Sequence, residues 1–495
     1  MSVRTDFDVI IIGGGSAGSA AACRAVEEGL SVCVAERLPG MGGTATYGGI
    51  NRFEQCAGTH GLHEQLAQEL YSEGSGGGTK ELPNSQIVGR YFDENETGAE
   101  HKPFAECPWA LSSIGAHGYG MFFSRNDVHH VIWNPFAYLP EALDAMLRKR
   151  LRRAVVLLNT ELADCETSGD RITAVRVRNR ATGVTSRLTA KVYLDCSGDI
   201  VLSRAAGCAA ACGSEPERQY GESLAPDEYE NTVNGCTLVF NVESLRERHI
   251  DEVPSEFRGT GNRWLRDTIA ANGVGPVSCF TRYPHQGDIN INMLPTMEGA
   301  EYLSYPPDEA YRVCLGRVWA YWHFLQTERG LDHMRMKHVF PIVGVRESYR
   351  LVGEYVLTQT DCQAGLFRQP RADSLIAYGA HSLDTHGARS KKHAGQIDTV
   401  MKIPYGVPYA FLQPKEYTNL LVACRGASFS HLAASATRLI VTMSQLGEAA
   451  AYASADAIRR GVSVKEANVT YIREKLRAEE YEARIARNLV KAEHV

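Results

Sequence analysis

The residues best suited to chemistry near the N-terminus are three glycines, Gly13, Gly15 and Gly18, spaced Gly-x-Gly-x-x-Gly. An apolar run from Phe7 to Ile12 precedes them, and a small-residue stretch reaching about Glu28 follows. Strand, glycine turn and helix in that order form the context in which this spacing binds a dinucleotide. Gly13 permits the tight turn, Gly15 lets backbone approach a pyrophosphate, and Gly18 lets the helix lie close to the strand. Ser16 and Ala17 open the helix, whose N-terminus offers N–H groups and about half a positive charge to the phosphates. Glu36 ends a second apolar run, Ser31 to Ala35, and stands 18 residues after Gly18. That separation is close to the roughly 20 residues expected of a carboxylate that accepts from ribose hydroxyls.

These residues need a parallel sheet to hold them. The unbroken apolar runs before Gly13 and Glu36 suit strands buried on both faces. Further along, Val155 to Leu158, Ile172 to Val177 and Ser186 to Leu194 alternate, with turns at Ser168-Gly169-Asp170 and Thr182-Gly183, which predicts an antiparallel meander. A last strand, Asn419 to Ala423, precedes a helical pattern from about Arg438 to Arg460. The expected fold is α/β: a Rossmann-like cofactor domain with an antiparallel β-meander, built from residues 1–65, 150–210 and 401–465. An inserted α+β substrate or cap domain takes residues 66–149 and 211–400. Residues 466–495 form a charged helical tail suited to a solvated face or a contact between copies of the chain.

Composition excludes several classes of function. The chain has 495 residues, enough for more than one core, and its net charge of −6 disfavours nucleic acid or an anionic membrane as partner. Arg148, Lys149, Arg150, Arg152 and Arg153 read as the cationic end of a helix, which the dipole favours. The N-terminus lacks the basic and apolar regions of a signal peptide, and no stretch approaches the roughly 18 apolar residues of a membrane span. A cytoplasmic location is expected. The 13 cysteines include no Cys-x-x-Cys pair. The closest two, Cys208 and Cys212, lie among alanines, so reduced structural thiols are expected and no metal site.

After Glu36 come Arg37, then Gly42, Gly43, Thr44, Ala45 and Thr46, then Gly48 and Gly49. Here the chain resembles the FAD-dependent oxidoreductases of the glutathione-reductase-like fold, in which Glu-Arg followed by Gly-Gly-Thr is usual. Leu194-Asp195-Cys196-Ser197-Gly198-Asp199 resembles their second FAD motif, where strand and turn return to the cofactor. Asn419 to Arg425, then His431, Arg438 and Leu446-Gly447-Glu448, are similar to the segment that sets a helix start beneath the flavin pyrimidine. Thr442 and Met443 fall in that start. Arg346-Glu347-Ser348, Leu383 to Gly387 and Ile403 to Tyr409 resemble a bacterial subgroup often found beside polysaccharide-degradation genes. The resemblance implies FAD as cofactor and specifies fold better than reaction.

Hydride arriving at flavin N5 leaves negative charge near N1 and the C2 carbonyl, which needs a preorganised partner. Arg438 and the helix after it are the candidates that the resemblance implies. Oxidising an alcohol also needs a base, and His386 and His431 lie in segments resembling cofactor-proximal loops. Arg346, Tyr405 and Tyr409 suit either a polar or anionic substrate or the bracing of loops. A disulfide reductase would need a cysteine pair soon after Gly42-Gly43, where only Cys56 lies near. A second nucleotide site would need a third glycine after Gly259-Thr260-Gly261, where Trp264 stands. The expectation is a flavin dehydrogenase or oxidase acting on a polar small molecule such as a sugar or hydroxy acid, with electrons passing to oxygen, a quinone or a carrier protein. The alternatives are a carbon–carbon double-bond reductase of the fumarate-reductase-like kind and a non-catalytic flavin-binding protein.

Overall fold

The computed structural model describes residues 4–53, 61–73, 76–78, 80–82, 136–272, 276, 278–282, 288–387, 392, 397–399, 401 and 403–493. Cys56, and residues 83–135 of the expected cap, lie outside them.

Strand β1 (Asp6–Ile12) is the axis of the cofactor half. Val9, Ile10 and Ile11 are all fully buried, so both faces of the strand are covered and the sequence shows a run rather than an alternation. On one side β1 pairs in parallel with β2 (Val32–Ala35), which pairs with Val155–Leu157. On the other it pairs with Thr185–Asp195, which pairs with Leu420–Val422. The register sets Ile12 level with both Ala35 and Asp195, and Asp195 level with Val422. Gly13, Glu36, Cys196 and Ala423, each one step further on, therefore emerge side by side at the carboxyl edge. That edge, where connections leave in opposite directions, is where open α/β sheets bind ligands.

Helix α1 (Ser16–Glu27) covers one face of the sheet, and the long helix Ile440–Arg460 packs directly on it. The contact is backbone to backbone: a Cβ on Gly447 would fall 2.0 Å from the Ala17 carbonyl oxygen. Alanines throughout both helices allow that approach.

The meander consists of Thr160–Ser168, Arg171–Asn179 and the outer part of Thr185–Asp195. The sequence had placed Val155–Leu158 in it, but that run is the edge of the parallel sheet, cut off by a left-handed turn at Asn159 (φ 51°). Thr160–Ser168 carries polar residues in place of an apolar alternation, so its sequence does not show a strand; Asp164 and Glu166 pair with Arg176 and Arg187 across the meander.

Only part of the expected insertion, residues 238–343 with Lys80–Leu82, builds a second layer with its own hydrophobic core; Leu66, Leu143, Met146, Leu351, Leu357 and Leu383, expected in the cap, pack into the core of the cofactor half. Met334–Val339, Phe240–Ser244, Ile289–Met293, Ser278–Arg282 and Lys80–Leu82 form an antiparallel sheet in that order. Against it lies the helix Pro307–Glu328, started by a proline in its first turn and anchored by fully buried Trp322. The basic cluster ends the helix Pro140–Arg150, with Arg152 and Arg153 just beyond it. In the tail, Tyr481 and Ile485 pack with Leu366, Leu375 and Tyr378, so part of it is seated on the body. The described cysteines are free thiols, and among the described residues no helix is long and apolar enough to cross a membrane.

Candidate functional site

A cavity of about 830 Å³ opens at the carboxyl edge of the parallel sheet. Gly13, Gly15, Ser16 and Ala17 line its first part. Gly13 sits at φ 98°, a conformation that side chains resist, and a Cβ there would meet the Cys196 carbonyl at 2.5 Å. Gly18 is not in the lining; its hydrogen lets α1 approach β1, since a Cβ would stand 1.9 Å from the Gly13 oxygen. A Cβ on Gly15, by contrast, would meet nothing within 4 Å. Helix α1 has neither a side-chain cap nor an acidic residue in its first turn, so its own side chains leave its N-terminal N–H groups to an anion.

Glu36 lines the cavity at 4% exposure, its carboxylate accepting from the backbone N–H groups of Gly14 and Leu38. Burial raises its pKa against those two bonds. Arg37 also lines the cavity. The second glycine segment lies directly on the first: the Gly42 N–H donates to the Gly14 oxygen at 2.8 Å, and Gly43 and Thr44 join the lining. Gly42 stays just outside it, and Thr46 is turned inward, its hydroxyl donating to the Met41 carbonyl at 2.7 Å.

Asp195 is fully buried and braces the strand-to-helix loop, accepting from Ser197 and from the N–H and hydroxyl of Ser203. The braced loop presents Gly198 and Asp199 to the cavity, where Asp199 pairs with Arg425 at 2.6 Å and accepts from the Ser348 hydroxyl. Burial opposes ionisation of Asp199, yet the Arg425 guanidinium and the Ser348 hydroxyl hold its carboxyl below the usual range.

At the far end stand Arg346, His381, Asp384, His386, Arg438, the start of the helix Ile440–Arg460, and Met443. That helix too begins without a side-chain cap or an acidic first turn. His386 pairs through Nε2 with Asp384. Burial, then the nearby Arg346 guanidinium, push the imidazole pKa down to about 4. Burial opposes ionisation of Asp384, but the bond to His386 keeps its carboxyl below the usual range. At neutral pH the pair is therefore a carboxylate accepting from Nε2–H of a neutral imidazole, whose Nδ1 is the basic atom. Arg346 also donates to the Gly235 carbonyl and the Thr237 hydroxyl.

Four residues of interest lie elsewhere. His431 starts the helix His431–Thr437 behind the cavity, its Nδ1 2.9 Å from Glu347. Tyr405 is fully buried with its hydroxyl accepting from Thr437, and Tyr409 donates to the Val464 carbonyl. Thr442 points away as well, its hydroxyl donating to the Tyr378 carbonyl. The sequence reading overlooked Asp384 as the partner of His386, although two residues apart in an extended segment share a side. It also overlooked Tyr302, Tyr311 and Arg312 of the inserted layer, which close over the cavity and carry no local motif.

Among the described residues no group of histidine, cysteine and acidic side chains could hold a metal ion. The model of a family described as FAD dependent oxidoreductase matches residues 8–476. NADH:fumarate oxidoreductase of Klebsiella pneumoniae (strain 342) is 30% identical over 180 residues, 35% of this chain and 18% of that one. The match thus spans less than a fifth of that relative's length. Among solved structures, a geranylgeranyl bacteriochlorophyll reductase-like protein of Thermoplasma acidophilum is 12% identical with a TM-score of 0.44, covering 99% of this chain and 87% of the other. A p-nitrophenol 4-monooxygenase of Pseudomonas putida is 11% identical with a TM-score of 0.43, covering 98% and 89%.

Proposed function

The chain belongs to the FAD dependent oxidoreductase family, and from that premise we propose that it oxidises the hydroxyl-bearing carbon of a polar small molecule, a hydroxy acid before a sugar. The observation that carries this reading is the Asp384–His386 pair set in the cavity beside two guanidiniums. Bound FAD would supply the hydride acceptor at N5 and pass its electrons on to oxygen, a quinone or a carrier protein. His386 takes the hydroxyl proton at Nδ1 while Asp384 holds its other nitrogen, fixing tautomer and orientation. Arg346 orients the substrate carboxylate by charge-assisted hydrogen bonds. Arg438 and the uncapped helix start at Ile440 would hold the flavin end of the cofactor and supply positive charge there.

At the other end of the cofactor, the start of α1 and the Gly42–Thr44 segment would cradle the diphosphate, and Glu36 the adenosine ribose. A cradle that a Cβ on Gly15 would fill and a helix start free of acids fit that group. Asp199 and Arg425 lie between the two ends and suit the ribityl chain. These motifs support placing the chain among the glutathione-reductase-like flavoproteins.

Purified protein is expected to carry about one FAD per chain, released by acid and identified by chromatography; colourless protein that takes up no added FAD would refute the assignment. Glu36→Ala removes the carboxylate that would accept from the ribose hydroxyls. Losing such charge-assisted bonds costs about 1.5–3 kcal/mol, or roughly ten- to more than a hundredfold in FAD affinity by titration of the apoprotein.

A second reading, reduction of a carbon–carbon double bond in an unsaturated carboxylate, draws on the 180-residue likeness to NADH:fumarate oxidoreductase. The two run in opposite directions, so anaerobic assays separate them. Bleaching of the oxidised flavin by lactate, malate or gluconate supports dehydrogenation. Reoxidation of the dithionite-reduced flavin by fumarate or crotonate supports the second, and neither response with any compound points to a non-catalytic flavin protein.

A further inference from the structure

We propose that Glu347 is a positioning residue that sets the placement of Arg346 against His386 through a backbone strut at Asn234–Gly235, and that His431 serves the site by holding Glu347. The proposal rests on the roles given above to Arg346 and His386.

Gly235 touches both groups. Its carbonyl accepts from Arg346 Nη1 at 2.8 Å, and its N–H donates to the His386 carbonyl at 2.5 Å. The residue before it, Asn234, is clamped by Glu347, which accepts from the Asn234 N–H at 2.8 Å and from its side-chain amide at 2.6 Å. Thr237, two residues on, offers its hydroxyl to the same Arg346 nitrogen at 2.7 Å. The strut has no slack: a Cβ on Gly235 would fall 2.5 Å from Pro295 Cβ and 3.0 Å from the His386 oxygen.

Glu347 is itself held by a charge cluster outside the cavity lining. It is fully buried, pairs with Arg350, and lies 2.9 Å from His431 Nδ1. Arg350, also fully buried, binds Glu215 at 2.5 Å and the carbonyls of Gly213 and Phe429. Glu215 in turn accepts from the His431 N–H at 2.9 Å. Such a cluster gains little stability over apolar packing of the same volume, because desolvation offsets the attraction. What it adds here is a fixed placement for the strut. It does no proton chemistry with a cavity ligand, since neither Glu347, Arg350 nor His431 lines the cavity.

The strut has a readout that a merely structural role would not move. Arg346 is one of the groups that lower the His386 pKa, together with Arg438 and against the pull of Asp384. His381 acts on Asp384, and Glu298 stands beside Gly387. If the strut slackens, Arg346 draws back and His386 gains protons more readily.

The test is a histidine NMR titration of the FAD-loaded protein carrying ¹³C-labelled histidine, with the His386 signal assigned from its loss in His386→Gln. Thr237→Val removes one anchor of Arg346 and keeps the side-chain shape; Gly235→Ala wedges the strut; Glu347→Gln removes the charge that holds it. Each is expected to raise the His386 midpoint by about one pH unit, a tenfold gain in proton affinity, with FAD content unchanged. A wild-type midpoint in Glu347→Gln, or in both Thr237→Val and Gly235→Ala, overturns the proposal. These two variants lie outside the buried charge cluster, so they decide even where Glu347→Gln does not fold. The titration needs no substrate, so a failure of the hydroxy-acid reading shows separately, as absent turnover by the wild type.

Discussion

Replacing His386 with alanine is expected to slow reduction of the flavin by substrate about 10²- to 10⁴-fold, the usual contribution of a general base, while FAD content stays at the wild-type level. The side chain removed lines the cavity and is paired with the Asp384 carboxylate through Nε2, so the variant loses that geometry and that charge state together. The pH profile gives a second signature. A base works only when deprotonated, and burial with Arg346 lowers this pKa to about 4. Wild-type flavin reduction should therefore hold level down to about pH 5 and be lost as pH falls through about 4, whereas an unperturbed histidine would lose it near 6.5. The alanine variant should lack that limb. Stopped-flow absorbance at the flavin band measures both. Reduction of the variant at the wild-type rate would remove His386 from the mechanism and strengthen the double-bond reading, which needs an acid instead.

Gly15→Val is expected to abolish tight FAD binding without harming the fold. The position sits at φ −66°, open to any residue, and its added Cβ faces open cavity. Apoprotein stability should fall by no more than about 1 kcal/mol, because Gly15 is the N-cap of α1 and valine caps a helix less well than glycine. On the proposed placement of the cofactor the same side chain would stand where the diphosphate approaches backbone, so affinity should fall by about 100-fold or more, at least about 2.8 kcal/mol. Gly18→Ala provides the contrast. Its Cβ would press on the Gly13 carbonyl at 1.9 Å and lever α1 from β1, so this variant should lose stability with or without cofactor. Thermal melts of the two apoproteins, with FAD titration of each, separate the cases. Undiminished FAD affinity in Gly15→Val would mean that the ligand does not follow this turn.

The motifs readable in the sequence share a physical property: each is determined by local backbone geometry at a strand end. Gly13, Glu36 and Gly198 need only their own turns and a parallel register to come together, and that register follows from buried apolar runs. The far end of the cavity depends on pairings that no window of sequence contains. His386 and His431 have similar local settings, yet one meets Asp384 two residues away in the cavity and the other meets Glu347, 84 residues away, behind it. Tyr405 and Tyr409 are polar at one atom only, and burial of the ring decided where each went. Tyr302 and Tyr311 reach the cavity because the inserted layer folds over it, which depends on the packing of a second core.

The contact of Gly447 with Ala17 makes the two uncapped helices into a caliper. Gly447 lies seven residues beyond Ile440, so at 1.5 Å per residue one helix mouth stands about 10 Å along the axis from the crossing with α1. With backbone packed on backbone, no side chain can adjust that gap. A ligand able to touch both mouths gains avidity, because its second end arrives already tethered to the first. A shorter flavin or a bare adenine nucleotide reaches only one jaw and forgoes that gain. Preference for the full dinucleotide then becomes a matter of length, gauged by a missing methyl group where the two helices cross.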